Sequence, residues 1–403
     1  MSSGVSTEVP PASSAIRIAF VSDAVYPFNK GGKERRLHEI ARRLVATGAQ
    51  VDIFTMKWWD GPDTMRLDGI SLHAIAPLMS MYSNGRRSIR EAVVFGAACL
   101  RLLGREFDVI DVDHMPFFPL FATRLVATLR RRRLVATWHE VWGRDYWLTY
   151  LGRAGHLAWL IEKWAVRMPH EIISVSEHTS RALTGKLAPT QPVHTIPLGV
   201  DIERLAAVPA TAPPVDVLYT GRLLTHKRLD SLIRALAEVN RTRPGVRARV
   251  VGEGPERARL EALADEVGIA AQVDFRDFVS DDEVFQLMKA AKVFVLPSVR
   301  EGFGLVVLEA NACDTPVITV EHPGNAAAGL IDEGRTGLLC DADDESLAKA
   351  IVTVLDDPGR FQPAATLRAR VPGVDWDAVT ARVADVLDTA AGRAPLEAAG
   401  VRS

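Results

Sequence analysis

Short apolar runs alternate with amphipathic stretches along most of this chain. From Ile16 the run IRIAFVSD has the length of a strand and ends in polar residues. PFNKGG follows, and KERRLHEIARRLVATG then sets Leu37, Ile40, Leu44 and Val45 at helical spacing before ending at Gly48. AQVDIFTM reads as the next strand. Strand, glycine loop, helix and strand in that order predict a parallel sheet with crossover helices. The alternation continues through the strand FDVIDVD, the helix PLFATRLVATLRRR, the strand RLVATWHE and the unit EIISVSEHTSRAL. It restarts near residue 215 with VDVLYTGRL and the helix LDSLIRALAEVNRT. RARVVGEG, the helix PERARLEALADEVG, QVDFRDFV, the helix DDEVFQLMKAA and the strand KVFVLPS follow. Two successive doubly wound α/β sheets are the expected architecture.

Between the two series, IPLGVDIERLAAVPATAPPV is proline-rich, lacks a sustained period and reads as the hinge. A chain of 403 residues exceeds what one hydrophobic core usually supports, which agrees with two domains. The expected division is a disordered leader (1–15), an N-terminal Rossmann-like domain (16–200), a C-terminal Rossmann-like domain (201–375), a helix (376–391) and a tail (392–403). The leader MSSGVSTEVPPASSA lacks the apolar core of a signal peptide. No apolar run reaches the ~18 residues that span a bilayer.

Composition sharpens this picture in three ways. With 48% hydrophobic and 24% charged residues, the chain is globular rather than mostly disordered. The net charge of −2 conceals a split, because residues 1–200 hold 25 Lys and Arg against 18 Asp and Glu, and the remainder holds 23 against 32. Halves of opposite charge suit two domains, and no nucleic-acid partner is expected. Cys99, Cys313 and Cys340 are odd in number and widely spaced, which supports neither a disulfide framework nor a zinc site and makes the cytoplasm the expected compartment.

In two-domain α/β proteins, ligands gather at the carboxyl ends of strands and in the cleft between domains. The candidate motifs fall in such strand-to-helix loops. In PSVREGFGLVVLEANAC, Gly302 and Gly304 let the backbone approach a ligand, and the helix that follows offers free N–H groups to an anion. A diphosphate fits there. Glu309, on the second turn, is placed for vicinal hydroxyls such as those of a ribose, and Glu301 for a sugar near the phosphates. In YTGRLLTHKRLDSLIRAL, Arg222 offers a planar donor fork and Lys227 a movable charge, a pair suited to a diphosphate. Gly31 and Gly32 in PFNKGGKERR permit close approach from the opposite side, without the spacing of a dinucleotide fingerprint.

VATWHEVWG ends a strand with His139 and Glu140 and continues into Trp142, Gly143, Tyr146 and Trp147, read as an aromatic loop at the cleft edge suited to stacking on a sugar. Asp111 and Asp113 in DVIDVDH lie in an apolar strand without the further ligands a metal needs. Arg130 to Arg133 are expected to close a helix, or to meet an anionic membrane or acceptor. Taken singly, each of these elements also serves as an ordinary turn, core strand or solvated charge.

Together they resemble family 4 of the retaining glycosyltransferases, which have the GT-B fold of two Rossmann-like domains facing an interdomain cleft. The resemblance covers roughly residues 16–390. It rests on the ordered motifs KGGKERRLHEIARRL, TWHE, ISVSEHTSRAL, IPLGVD, GRLLTHKRLDSLIRAL, VVGEGPER, PSVREGFGLVVLEANACDTPVI and GRTGLL. It implies transfer of a hexosyl group from a nucleoside-diphosphate sugar, with retention and without a metal or cofactor. Arg222 and Lys227 would hold the diphosphate and Glu309 the ribose, while Glu301 with the backbone of Phe303, Gly304, Leu305 and Val306 would hold the sugar and distal phosphate. Gly32 would approach the donor phosphate, His139 the donor sugar, and Phe278 would line the donor site. Residues 201–375 would then be the donor domain, residues 16–200 the acceptor domain, and 376–391 a brace across them.

The chain departs from the family pattern at Leu198, where Asn is usual, at Asp277 and Asp314, where Gly is usual, and at HPGNAAAG. The acceptor stays open between a glycan, a lipid-linked sugar and a small metabolite, with peripheral contact at the inner face of the membrane one consequence. A nucleotide-sugar epimerase, a phosphorylase and a non-catalytic sugar-nucleotide-binding protein are the competing readings.

Overall fold

The computed structural model describes residues 15–83, 86–369 and 373–393. The leader, apart from Ala15, and the tail beyond Arg393 lie outside those residues. The N-terminal sheet has eight strands, in the order Val193–Thr195, Glu171–Ser174, Arg133–Trp138, Val109–Asp113, Arg17–Val21, Gln50–Met56, Ile70–Ala76 and Thr64–Leu67. All pairings are parallel except that of Thr64–Leu67, which returns antiparallel as a hairpin edge. The C-terminal sheet has six parallel strands, in the order Val273–Arg276, Ala248–Val251, Val215–Thr220, Ala291–Leu296, Val317–Val320 and Gly337–Cys340. The central strands are buried along both faces, as continuous apolar runs in a helix-covered sheet must be.

Helices cover both faces of the N-terminal sheet. On one side, Leu37, Ile40 and Leu44 of helix Gly32–Ala46 join a core that runs on through the linker into the C-terminal sheet. Trp376, Val379, Val383 and Leu387 of helix Trp376–Ala390 belong to the same core, and Arg43 reaches Asp377 at 2.6 Å. The last helix therefore rests on the first domain. On the other side, Phe95, Leu120, Val126 and Trp147 form a separate core.

Three expectations need correction. The arginine run closes its helix only in part: Arg130 caps helix Phe118–Leu129, Arg131 turns the chain at φ +52°, the N–H of Arg132 returns to the Ala127 carbonyl at 2.8 Å, and Arg133 already opens the next strand. The aromatic stretch after His139 leads into a helix, Gly143–Leu151, and Trp142, just before its first turn, and Trp147 within it are buried. Its start is held by Glu162, which accepts from the N–H groups of Trp142 and Gly143 and from the Trp147 indole, each at 2.9 Å. The linker, finally, contains a short helix, Ile202–Ala207, whose first turn is capped by Asp201.

Candidate active site

The two sheets face each other across a cleft of about 920 Å³, into which the carboxyl ends of both sets of strands open. Every residue that the resemblance assigns to the donor or catalytic site lines it: Gly32 and His139 from the N-terminal domain, and Arg222, Lys227, Phe278, Glu301, Phe303, Gly304, Leu305, Val306 and Glu309 from the C-terminal one; of the aromatic stretch Trp142 and Tyr146 line it and Trp147 does not.

The donor-side loops are shaped locally. Helix Leu305–Ala312 begins at Gly304, whose φ of +95° is closed to most side chains and where a Cβ would stand 2.5 Å from Ala327 Cβ. No side chain caps this helix, so its first turn presents backbone donors and the positive end of its dipole to the cleft. Lys227 ends a 3₁₀ turn, Thr225–Lys227, and its Nζ meets Glu301 Oε1 at 2.6 Å. Neighbouring cations accumulate here. Burial, and then the charges of Arg300, Lys227 and Arg222, push the His226 imidazole down to about 2, so it stays neutral in a field that favours an anion.

From the other side comes helix Gly32–Ala46, with Gly31 and Gly32 at its open end. Lys33 is half-buried between Asp23 at 2.5 Å and Asp113 at 3.6 Å. Burial opposes its charge, but the carboxylates outweigh it and raise the ammonium above its ordinary range. Asp113 also bonds His139 Nε2 at 2.9 Å; burial works against its ionisation, yet Lys33 and His139 hold its carboxyl well below the usual carboxylate range. His139 is thereby oriented by an ionised partner. Asp111 faces elsewhere and takes the Thr137 hydroxyl at 3.0 Å; burial leads in pushing it up to about 6. Among the described residues no cluster of three or more His, Cys, Asp or Glu stands ready for a metal.

The domains touch at the cleft floor. Ser176 Oγ donates to Gly302 O at 2.9 Å, and a Cβ on Gly302 would collide with the carbonyl of His139. Arg300 pairs with Glu140 at 3.3 Å and lies over the rings of Trp142 and Tyr146. Glu309, expected to face only a ribose, is buried and salt-bridged at 2.9 Å to Arg35 of the opposite domain. Burial pushes the Glu309 carboxyl up and Arg35 pulls it back.

Lys33, Arg35, Arg300 and Asp23 escaped the sequence reading, since each owes its place to a partner distant in the chain. Only the adjacency of Lys33 and Arg35 to Gly32, and of Arg300 to Glu301, pointed towards them. The departures from pattern take definite places. Asp314 holds φ +62° and accepts from the N–H of Ala364, while Leu198 lines the cleft beside Gly32.

Two facing Rossmann-like domains with a glycine-lined, cationic donor wall define an enzyme of the GT-B glycosyltransferase class. Residues 30–204 match the family described as Glycosyltransferase Family 4, and residues 204–370 match Glycosyl transferases group 1. The chain belongs to this family of glycosyltransferases. It is 28% identical over 397 residues to a glycogen synthase of Mycobacterium tuberculosis, covering 92% of this chain and 94% of that protein. It is 27% identical to a D-inositol 3-phosphate glycosyltransferase of Acidothermus cellulolyticus, over 82% and 79% of the two chains. Among solved structures, sucrose-phosphate synthase of Thermosynechococcus elongatus superposes with a TM-score of 0.77 at 24% identity, covering 93% of this chain and 98% of that one. Anabaena HepE in complex with UDP-glucose superposes with a TM-score of 0.69 at 21% identity, covering 93% and 100%.

Proposed function

We propose that this glycosyltransferase moves a hexosyl group from a nucleoside-diphosphate sugar to an acceptor hydroxyl, with retention and without a metal. The observation that carries the reading is the wall formed by Arg222, Lys227, Glu301 and the uncapped helix end at Gly304, gathered in one cleft opposite Gly32 and His139. The diphosphate rests on Arg222, Lys227 and the first-turn N–H groups. Glu309 accepts from the ribose hydroxyls beside Arg35. Glu301, steadied by Lys227, and His139, steadied by Asp113, grip the transferred sugar.

Transfer breaks the bond from the anomeric carbon to the phosphate oxygen. The acceptor oxygen bonds to that carbon on the same face, and its proton passes to the departing phosphate. Charge grows on the leaving diphosphate, where each well-aimed donor lowers the barrier by about 3 kcal/mol. Cations and backbone donors supply what a metal would otherwise supply.

A panel of nucleotide-sugars, followed by release of nucleoside diphosphate in EDTA, tests the reading. Release from one donor, with the α or β configuration of the donor kept in the product by NMR, is expected. Release that stops in EDTA and returns with magnesium would refute metal independence. A panel with neither release nor thermal shift would refute the donor assignment.

A further inference from the structure

Among the described residues, nine of the twelve exposed large apolar side chains stand on one part of the surface. Apart from Phe28, Leu78 and Phe278, they belong to three neighbouring helices and the turn after the first of them: Ile89–Ala98 with Cys99–Gly104, Phe118–Leu129 and Gly155–Ala165. Ile89 is 68% exposed, Leu129 62%, Leu157 63% and Trp164 56%. Their opposite sides, through Phe95, Leu120 and Ala165, fill the core on the sheet face turned away from helix Trp376–Ala390. The outward sides therefore form one surface. Isolated apolar side chains on a surface are ordinary; this concentration is not.

The charges on the same surface have one sign. Across residues 89–105, 118–133 and 152–167 there are 11 Lys and Arg, while the only acids, Glu91 and Glu162, are buried. Arg101, Arg130 and Arg167 donate to the carbonyls of Ile75, Arg105 and Lys163, which orients them without cancelling their charge. Arg132 is partly offset by Asp108 at 3.4 Å. Among the described residues no helix is long and apolar enough to cross a membrane.

We propose that this face docks peripherally on an anionic lipid surface. The arginines meet lipid phosphates, and Leu129, Leu157 and Trp164 enter the boundary between headgroups and acyl chains, as on an amphipathic helix lying in the interface. Helix Gly155–Ala165 packs on helix Gly143–Leu151, which brings Tyr146 and Tyr150 to the cleft. Docking sets the N-terminal wall of the cleft close to the bilayer. The proposal is independent of the donor assignment.

The test is flotation of the full chain with phosphatidylcholine vesicles, with and without phosphatidylglycerol. Binding only to the anionic vesicles, weakened by salt, is expected, since such basic contacts are screened within about 8–10 Å. Arg130→Glu with Arg153→Glu should weaken it by at least about tenfold, given roughly fivefold per basic residue. Leu157→Ser with Trp164→Ser should weaken binding to a comparable degree. Both pairs are exposed, and unchanged melting of either pair keeps its result interpretable. Absence of flotation, or equal flotation with neutral vesicles, would overturn the proposal. So would a concentration-dependent dimer in light scattering that the Leu157 and Trp164 changes abolish, because the face would then be a contact between copies.

Discussion

Lys227 and Glu301 make the most direct claim on chemistry. Their 2.6 Å pair holds each side chain in the cleft, so removing one also releases the other. Lys227→Ala and Glu301→Ala should each leave a folded protein whose turnover falls by at least about 100-fold, on the scale of one lost transition-state donor. Near-normal turnover in either, with a wild-type melting curve, would sink the assignment. Glu91 yields a prediction of another kind. It is buried near Asp23, neither of its carboxylate oxygens has a hydrogen-bond partner among the described residues, and Arg87 stands 3.9 Å away. Burial first, and Asp23 second, push its carboxyl up to about 7 from an ordinary 4.5. A raised carboxyl pKa means that the folded state holds the proton longer than the unfolded one. Its stabilising effect is full below 4.5 and is lost as pH rises through about 7. Glu91→Gln should therefore raise Tm by a few degrees at pH 8 and leave it unchanged at pH 4; a shift of equal size at both values would rule out ionisation as the cause.

Helix Leu305–Ala312 shows how one turn of backbone makes a site. Gly304 provides its left-handed entry and Gly302 the close approach to His139 O, and a methyl group at the two positions should act differently. Gly304→Ala, strained at φ +95° and crowding Ala327, should lower the melting temperature of the C-terminal domain and weaken donor binding together. Gly302→Ala should keep that domain folded, because the clash lies with the other domain, and should lose turnover through failed closure. A melting curve followed by nucleotide titration separates the two outcomes. These glycines were legible because such residues in a strand-to-helix loop have few other uses. Most strands and helices were legible too, where a run such as IRIAFV or the spacing of Leu37, Ile40 and Leu44 carries its period locally. What escaped depends on distant partners. Thr64–Leu67 is a half-exposed edge with a weak apolar signature, and helix Gly143–Leu151 starts where it does because Glu162 caps it. Arg35 and Lys33 read as two of several charges on a helix until the opposing Glu309, Asp23 and Asp113 are placed.

The two domains meet through charges that also belong to the proposed donor site, and this couples binding to closure. Arg35 projects from the N-terminal domain over the Phe285 ring, lies 3.8 Å from Asp281 and pairs with Glu309 at 2.9 Å. Tyr26 adds a hydrogen bond to Asp281 at 3.3 Å, and Lys30 one to the Val279 carbonyl at 3.3 Å. A ribose on Glu309 would thus sit beside a cation that is present only when the domains are closed. Removing Arg35 leaves a buried carboxylate without its counter-charge, a loss of about 3–5 kcal/mol when such a pair is fully buried and less where water reaches it. Arg35→Ala should lower Tm, enlarge the radius of gyration measured by small-angle scattering, and raise the donor KM more than it lowers kcat. Adding Glu309→Gln removes the uncompensated charge, so the double variant should recover most of the Tm but not the donor KM. Stability tests the ion pair; affinity tests the carboxylate as a ribose ligand. A double variant that recovers both would leave the pair as a structural contact alone. Recovery of stability with affinity still lost would make Glu309 the point where donor binding and domain closure meet.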